Sequence, residues 1–312
     1  MTESQELLAE PDARALPAGH PGPVAAWIHA CRIPTLSAAV VPVLVGTVLA
    51  YRHGDFSLFT AIATFVGAVA IQIGTNLAND LYDFKKGADS PARLGPPRVL
   101  ARGWLTVDDV RAGMVAAFGL ATAAGAYLIA VAGWPILAIG VASIAAGILY
   151  TAGPFALAYV GLGDVFVFLF FGLVAVLGTY YAQVGGLDPE VWVAAIPVGT
   201  LATAILVVNN LRDIDTDRAA GKLTLAARIG RRATRLEFAT LLAAAFAVPI
   251  ALWAQGLSSA WVLLPLATTA LAARNLQAVF ERAGPELNRT LVDTAQLHLF
   301  FGLLFAAGLA LG

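Results

Sequence analysis

The chain has 312 residues, of which 59% are hydrophobic and only 12% are charged, and its net charge is −1. Soluble domains carry about 25% charged residues, so this composition, with a mean hydropathy of +0.78, indicates an integral membrane protein. A net charge so close to zero argues against a nucleic-acid partner. The single cysteine, Cys31, excludes an internal disulfide bond.

The first 23 residues are polar, acidic and rich in proline. They lack the basic start and apolar core of a signal peptide. We therefore expect residues 1–23 to form a disordered cytoplasmic tail and residues 24–312 to form one membrane domain.

Nine apolar segments follow in chain order, each close to the 20 or so residues that a transmembrane helix needs. Gly133 alone separates the third from the fourth, which predicts a tight helical hairpin. The expected fold is an all-α bundle of nine transmembrane helices. The predicted spans are 34–51, 57–80, 112–132, 134–152, 163–183, 191–210, 236–254, 258–273 and 291–311.

The basic residues are sorted strongly by side. With nine spans, eighteen of the nineteen Lys and Arg residues fall on one face of the membrane, and only Arg52 falls on the other. Loops rich in Lys and Arg stay in the cytoplasm. The pattern predicts a multi-pass protein of the cell membrane with its N-terminus in the cytoplasm and its C-terminus outside.

A polar cluster begins where the second predicted span ends, in the stretch "TNLANDLYDFKKGADS" (75–90). Helical spacing places three of its side chains on one face together with Gln72 of the span before it, with Asp80 beside them. Such a stripe, set among apolar faces, should point into the bundle. The four residues are Gln72, Asn76, Asn79 and Asp83.

A second cluster follows the sixth span, in "VVNNLRDIDTDRAAGK" (207–222). Asp215 points away from its polar face. Asp80 and Asp213 are 133 residues apart and four spans separate the clusters, so two parallel-related halves should bring both clusters to the same membrane face. The residues of the second face are Asn209, Asn210, Asp213 and Asp217.

Carboxylate and amide oxygens are ligands that suit Mg²⁺, which proteins often hold together with substrate phosphates. The spans contain no pair of His or Cys residues that could bind zinc. Several carboxylates at a membrane edge would repel one another unless a cation neutralised them. Nearby basic residues could contact phosphate oxygens, although such residues often serve only as topology signals; they are Lys86, Arg93, Arg98, Arg212 and Lys222.

The two clusters resemble the Asp-rich motifs of the UbiA superfamily of intramembrane prenyltransferases. The first, Asn79 to Asp83, has the form NDxxD, and the second, Asp213 to Asp217, has the form DxxxD. Much of that family has a further Asp at the position of Gly87, whereas here Asp89 lies two residues beyond. The stretches "YTAGPFALAYVGLGD" and "ELNRTLVDTAQLHLFFGLL" resemble the menaquinone-pathway branch, which prenylates 1,4-dihydroxy-2-naphthoate.

This resemblance implies that a polyprenyl group moves from polyprenyl diphosphate to 1,4-dihydroxy-2-naphthoate with decarboxylation, giving demethylmenaquinone, at a cytoplasm-facing site in membrane lipid. It implies Mg²⁺ as cofactor, held by Asn79, Asp80, Asp83, Asp213 and Asp217. The same four Asp residues would be catalytic, with Tyr150 near the reacting carbons. The implied diphosphate-binding residues are Asn76, Asn79, Lys86, Arg93, Arg98, Asn210 and Lys222.

Other interpretations remain open. A related enzyme of the same superfamily could act on hydroxybenzoate, homogentisate or a tetrapyrrole. A secondary transporter would use carboxylates as ion ligands near the middle of the membrane, whereas these carboxylates lie at span ends. Tyr150 also fits an interfacial anchor, and Asp164 fits a helix N-cap.

Overall fold

The structure, a computed structural model, describes residues 21–87, 94–153 and 156–312. Every regular element in these ranges is helical, which confirms the predicted all-α class. The proposed tail lies outside the described residues except for its last three positions. The same is true of Arg93 and Asp89, which belong to the undescribed segment 88–93.

Eleven α-helices form the described fold. A π-helix over Phe168–Val174 joins two of them, and a 3-10 helix over Ala260–Thr268 precedes another. In chain order the α-helices are α1 (Pro23–Cys31), α2 (Ser37–Arg52), α3 (Leu58–Lys85), α4 (Val107–Ala132), α5 (Trp134–Leu149), α6 (Gly163–Val167), α7 (Ala175–Val184), α8 (Pro189–Ala219), α9 (Leu225–Ala254), α10 (Thr269–Glu281) and α11 (Leu287–Leu311).

Helical segments occupy all nine predicted span positions. Within the described residues, eight of them are long and apolar enough to cross a membrane, and the fourth, α5, is shorter at 16 residues. At 1.5 Å per residue α5 extends about 24 Å, a little less than the hydrocarbon core. The predicted hairpin is present: Gly133 joins α4 to α5 with φ 82°, a conformation that a side chain would disfavour.

Three helices extend well beyond their predicted spans, at the ends that carry or adjoin the polar clusters. Helix α3 continues to Lys85, α8 continues to Ala219, and α9 begins at Leu225. The apolar pattern stops earlier because polar side chains replace apolar ones there. Through both clusters the backbone of α3 and α8 stays helical, and their polar side chains face an internal cavity instead of a loop. Near the start of α9 the backbone departs from helical geometry at Gly230, which has φ 79° and kinks the helix.

The short helix α1 was not predicted. Pro23 stands in its first turn, where proline is tolerated because its missing N–H would have no helical partner, and the helix ends at Arg32. Arg32 has φ 53°, a left-handed conformation that is uncommon for a residue other than glycine. The turn at Arg32 redirects the chain into α2 and brings the guanidinium group to Asp80 on α3.

Helix α8 is the centre of the bundle. It packs against α2, α9, α11 and the π-helix, and it is buried on most of its circumference. Helix α3 packs along α4 as α8 packs along α9. The two longest pairs therefore repeat one arrangement, in which the first helix of each pair carries a polar cluster at its C-terminal end.

Small residues allow close helix contacts, as they commonly do in membrane proteins. The π-helix and α8 approach each other closely at Gly172 and Gly199, where a Cβ atom added to Gly172 would lie 2.6 Å from the Gly199 Cα atom. Because the atom in the way belongs to the backbone of α8, it cannot move aside as a flexible side chain could.

We therefore expect Gly172→Val to destabilise the protein by about 1–3 kcal/mol through overpacking. The midpoint of thermal aggregation in detergent should fall. The matched control is Gly119→Val, because a Cβ atom at Gly119 meets nothing within 4 Å and should leave the midpoint unchanged. Equal midpoints for the two variants would contradict the close packing.

Candidate active site

One large cavity lies among α2, α3, α5, the segment 163–184 and α8, with a volume of about 630 Å³. Thr64 and Asp83 both line it and both belong to α3. Their separation of 19 residues corresponds to a helical rise of about 28 Å. The cavity therefore follows α3 through most of a membrane thickness, polar at the Asp83 end and mainly apolar beyond it.

The polar stripe predicted on α3 is present in the structure. Its four members, from the deepest to the outermost, line one wall of the cavity. Helical spacing alone was enough to identify them, because α3 is regular throughout this region. They are Gln72, Asn76, Asn79 and Asp83.

Contacts from neighbouring elements hold this stripe in place. The Asp83 Oδ1 atom accepts a hydrogen bond from the Tyr159 hydroxyl at 3.0 Å, and its Oδ2 atom accepts one from the Arg98 guanidinium at 3.1 Å. The Asn79 Oδ1 atom accepts a hydrogen bond from the Thr151 hydroxyl at 3.0 Å. The Asn76 amide donates to the Cys31 carbonyl at 3.0 Å. The loop between α3 and α4, the loop between α5 and α6, and the end of α1 therefore all contact the C-terminal end of α3.

Asp80 has a different environment from Asp83. Its side chain is 2% exposed and pairs with the guanidinium groups of Arg32 and Arg98. Those two arginines line the cavity, and Asp80 lies behind them because it is rotated about 100° from Asn79 around the helix. Asp80 was predicted to be a metal ligand, and the structure places it where it orients the two arginines.

The second cluster continues α8 and reaches the same cavity. Its predicted face lines the wall, whereas Asp215 has a side chain that is 72% exposed and pairs with Arg231 at 2.6 Å. The prediction that Asp215 points elsewhere is therefore confirmed. The lining residues of this cluster are Asn209, Asn210, Asp213, Thr216 and Asp217.

A buried arginine organises the second cluster. The Arg212 side chain has no solvent exposure and donates to both Asp213 carboxylate oxygens at 2.8 and 2.6 Å. It also donates to the Oδ1 atoms of Asn209 and Asn288 at 2.8 and 2.9 Å. We predicted Arg212 as a phosphate ligand, but its hydrogen-bonding groups are engaged inside the protein.

Of the other predicted site residues, some line the cavity and Lys86 contacts a loop instead. Tyr150 and Lys222 line it, and the Lys222 ammonium lies 3.8 Å from the Asp217 carboxylate. The Lys86 ammonium donates to the carbonyls of Thr151 and Gly153 at 2.6 and 3.1 Å, so it braces the loop after α5.

Sequence reasoning missed Tyr159 and Arg32 as site residues. Tyr159 ends a short 3-10 turn in a loop, where no periodicity marks it, and Arg32 was counted only as a topology signal. Asp164, considered as an N-cap, instead lies buried within the first turn of α6, whose N-cap is Leu162.

The cations that neutralise these carboxylates are basic side chains of the protein itself. Asp83 pairs with Arg98, Asp213 with Arg212, and Asp217 lies close to Lys222. Burial of a charge at a low-dielectric site requires such pairing. The site therefore does not need a metal ion to relieve repulsion.

The donor set nevertheless fits Mg²⁺. Across the described residues, no three His, Cys, Asp or Glu side chains are grouped closely enough to hold a metal ion on their own. Instead, each wall offers one or two carboxylates with neighbouring amides. This is the arrangement in which Mg²⁺ is bound by few protein carboxylates and completed by substrate phosphates.

Comparison with known proteins identifies the family. The model of the UbiA prenyltransferase family matches residues 39–304. The chain belongs to the UbiA prenyltransferase family. It is therefore a multi-span membrane prenyltransferase, as the resemblance implied.

The similarity to individual relatives extends over nearly the full length of both chains. The chain is 36% identical to 1,4-dihydroxy-2-naphthoate octaprenyltransferase of Escherichia coli, over 92% of this chain and 95% of that protein. It is 37% identical to the Mycobacterium tuberculosis protein of the same name, over 92% and 98%. A UbiA homologue from Archaeoglobus fulgidus, solved with DMAPP and Mg²⁺, shares the fold with a TM-score of 0.58 at 16% identity, over 89% and 98%.

If the two clusters form one headgroup site, Asp83→Ala and Asp213→Ala should each lower kcat at least about 100-fold, since even outer-shell partners of metal ligands contribute 10–100-fold. The double variant should be barely worse than either single variant, because residues that act as a unit are not additive. Turnover with prenyl diphosphate and acceptor measures this.

Asp215→Ala is the matched control for that series. Asp215 lies on the same helix but is exposed, so most activity should remain. Loss of activity in Asp215→Ala together with an active Asp213→Ala would overturn the assignment of the helical face.

Proposed function

We propose that this protein transfers a polyprenyl group from polyprenyl diphosphate to 1,4-dihydroxy-2-naphthoate with decarboxylation, giving the hydroquinone form of demethylmenaquinone. The observation that carries the proposal is the large cavity, which has both polar clusters at one end and a long apolar remainder. That shape matches a donor with a charged headgroup and a hydrocarbon tail. The named relatives support the choice of acceptor.

The diphosphate would bind at the polar end. Asn79, Asp83, Asp213 and Asp217 are the residues that would hold Mg²⁺ there, and the bound ion would neutralise charge on the leaving diphosphate. Arg98 and Lys222 line the same end and supply fixed positive charge for the phosphate oxygens. Asn76 and Asn210 complete the wall with amides, and Arg93 is a further proposed phosphate ligand.

The prenyl carbons would lie in the apolar part. Phe166 and Phe170 line it and stack with ring centroids 6.0 Å apart. Phe170 belongs to the π-helix, and Phe166 belongs to α6, which directly precedes it. Such irregular turns often occur at functional sites. Aromatic faces attract a cation, and the apolar walls exclude the water that would otherwise capture an allylic cation.

The proposed reaction balances without an outside reagent. The bond between the first prenyl carbon and the diphosphate oxygen breaks, and its electron pair leaves with pyrophosphate. The ring carbon that bears the carboxylate forms the new carbon–carbon bond. Carbon dioxide then departs and returns its bonding pair to the ring, so no net proton is released when the acceptor enters as its carboxylate.

The acceptor would bind between the two regions. Gln72 lines the cavity two helical turns below Asn79, is 7% exposed, and has an Oε1 atom without a hydrogen-bond partner among the described residues. Such a group gains most from a ligand that donates to it. Thr75 and Ser143 also line the cavity. A dihydroxylated ring offers the hydroxyl groups that these side chains can bind.

The site would face the cytoplasm, because the Lys and Arg residues concentrate on the side that carries both clusters. This side also has access to the soluble acceptor and to the charged headgroup.

Purified protein incubated with 1,4-dihydroxy-2-naphthoate labelled in its carboxyl carbon, a polyprenyl diphosphate and Mg²⁺ tests the proposal. We expect a prenylated lipid that lacks the label, with one labelled carbon dioxide released per product by mass analysis. A product that retains the carboxyl group, or faster turnover with 4-hydroxybenzoate or homogentisate, would contradict the proposed acceptor.

A second prediction concerns the tail. Gly178 lines the cavity, and a Cβ atom there would lie 3.4 Å from the Ile139 side chain, so a larger residue would project into the cavity. Gly178→Leu should lower kcat/KM for a long donor roughly 10-fold more than for a short one. The control is Gly119→Leu, and the same ratio of long to short donor in both variants would place the tail elsewhere.

A further inference from the structure

Tyr159 contacts both halves of the site. It ends the 3-10 turn Leu157–Tyr159, in the loop between α5 and α6. Its hydroxyl donates to the Asp83 carboxylate at 3.0 Å. Its carbonyl accepts a hydrogen bond from the Leu223 amide at 3.2 Å, which ties the turn to the loop after α8.

The Tyr159 ring also lies next to two ammonium groups. The Lys86 Nζ atom is 4.4 Å from the ring centroid, and the Lys222 Nζ atom is 5.6 Å from it. Both distances fall within the range of a cation–π interaction. The carbonyls of the adjacent loop also hold Lys86 in place. The ring therefore lies between a fixed cation that follows the first cluster, Lys86, and a cation that follows the second, Lys222.

These contacts connect the two clusters at the polar end of the cavity. Asp83 belongs to the first cluster, and Lys222 lies 3.8 Å from Asp217 of the second. Tyr159 joins the two because its hydroxyl reaches one and its ring reaches the other. Neither cluster provides this connection by itself.

We propose that Tyr159 is a positioning residue that couples the two halves of the headgroup site. Its hydroxyl holds the carboxylate of Asp83, which would be an Mg²⁺ ligand, and its ring holds the Lys222 ammonium at the polar end of the cavity for the diphosphate. This inference rests on the proposed function, because it assigns the headgroup to this end of the cavity.

The physical benefit is order before binding. A lysine side chain is flexible, and two ammonium groups close together repel each other. The ring attracts both, so it adds to the contacts that limit their movement, namely Asp217 for Lys222 and the loop carbonyls for Lys86. Donors that are already oriented lose less freedom when the ligand arrives.

The hydroxyl and the ring can be tested separately. Tyr159→Phe removes only the hydroxyl, and Tyr159→Leu removes the ring as well. The probe is inorganic pyrophosphate, titrated calorimetrically into the detergent-solubilised protein with and without Mg²⁺. Prenyl transfer kinetics provide KM for each substrate.

For Tyr159→Phe we expect Mg²⁺-dependent binding of pyrophosphate to weaken roughly 10-fold, as for outer-shell partners of metal ligands, with Mg²⁺-free binding unchanged. For Tyr159→Leu we expect both to weaken, the Mg²⁺-free binding by roughly 3- to 30-fold. In both variants KM for the prenyl diphosphate should rise while KM for the acceptor stays the same.

Tyr82 provides a matched control. It precedes Asp83 on α3, and the Lys85 ammonium lies 5.7 Å from its ring centroid. Tyr82→Phe and Tyr82→Leu therefore remove the same groups from a tyrosine–lysine pair in which the lysine does not line the cavity, whereas Lys222 beside Tyr159 does. We expect both control variants to bind pyrophosphate as the unmodified protein does.

The proposal is overturned if Tyr159→Phe and Tyr159→Leu give the same binding pattern, or if the Tyr82 variants weaken binding equally. If Tyr159→Leu does not fold, Tyr159→Met replaces it, since methionine fills irregular space well. The pyrophosphate titrations use no aromatic acceptor, so they stand even if the protein proves to prenylate a different one.

Discussion

The pairing of buried carboxylates with guanidinium groups is the constraint on which the site depends. A charge at the edge of a low-dielectric bundle is costly unless an opposite charge and hydrogen bonds accompany it. Arg212 meets this condition for Asp213, and Arg98 meets it for Asp83. Arg98 belongs to the loop between α3 and α4, so its ion pair with Asp83 fixes how that loop meets the end of α3. Arg212 is the neighbour of Asp213 on α8, and its hydrogen bond to the Asn288 Oδ1 atom ties that helix end to α11.

The same pairing explains how the protein keeps an acidic site inside a membrane. The carboxylates are compensated before any ligand arrives, and they still face the cavity. An incoming diphosphate brings negative charge, which Arg98 and Lys222 on the cavity wall can share, and a divalent ion would be held by the carboxylates. The long apolar part of the cavity then needs no polar compensation, and small residues let the surrounding helices pack closely.

Helical periodicity carried most of what could be predicted. It placed Asn76, Asn79 and Asp83 on one wall and separated Asp215 from Asp213, because the backbone remains helical through both clusters. It could not predict that Lys86 would bind loop carbonyls or that Tyr159 would reach Asp83. Those contacts depend on loop conformation and on helices distant in sequence. The predicted spans were too short for a different reason: hydropathy falls before the helix ends.

The central claim is that both clusters hold one headgroup. The most direct test is a structure of the protein with Mn²⁺ and an unreactive polyprenyl thiodiphosphate, in which the metal is located by its anomalous scattering. The account predicts metal bound between Asp83 on one wall and Asp213 or Asp217 on the other, with the diphosphate bridging them and the tail directed toward Phe170. Metal and diphosphate bound to one cluster alone, with the other still closed by its arginine, would contradict it.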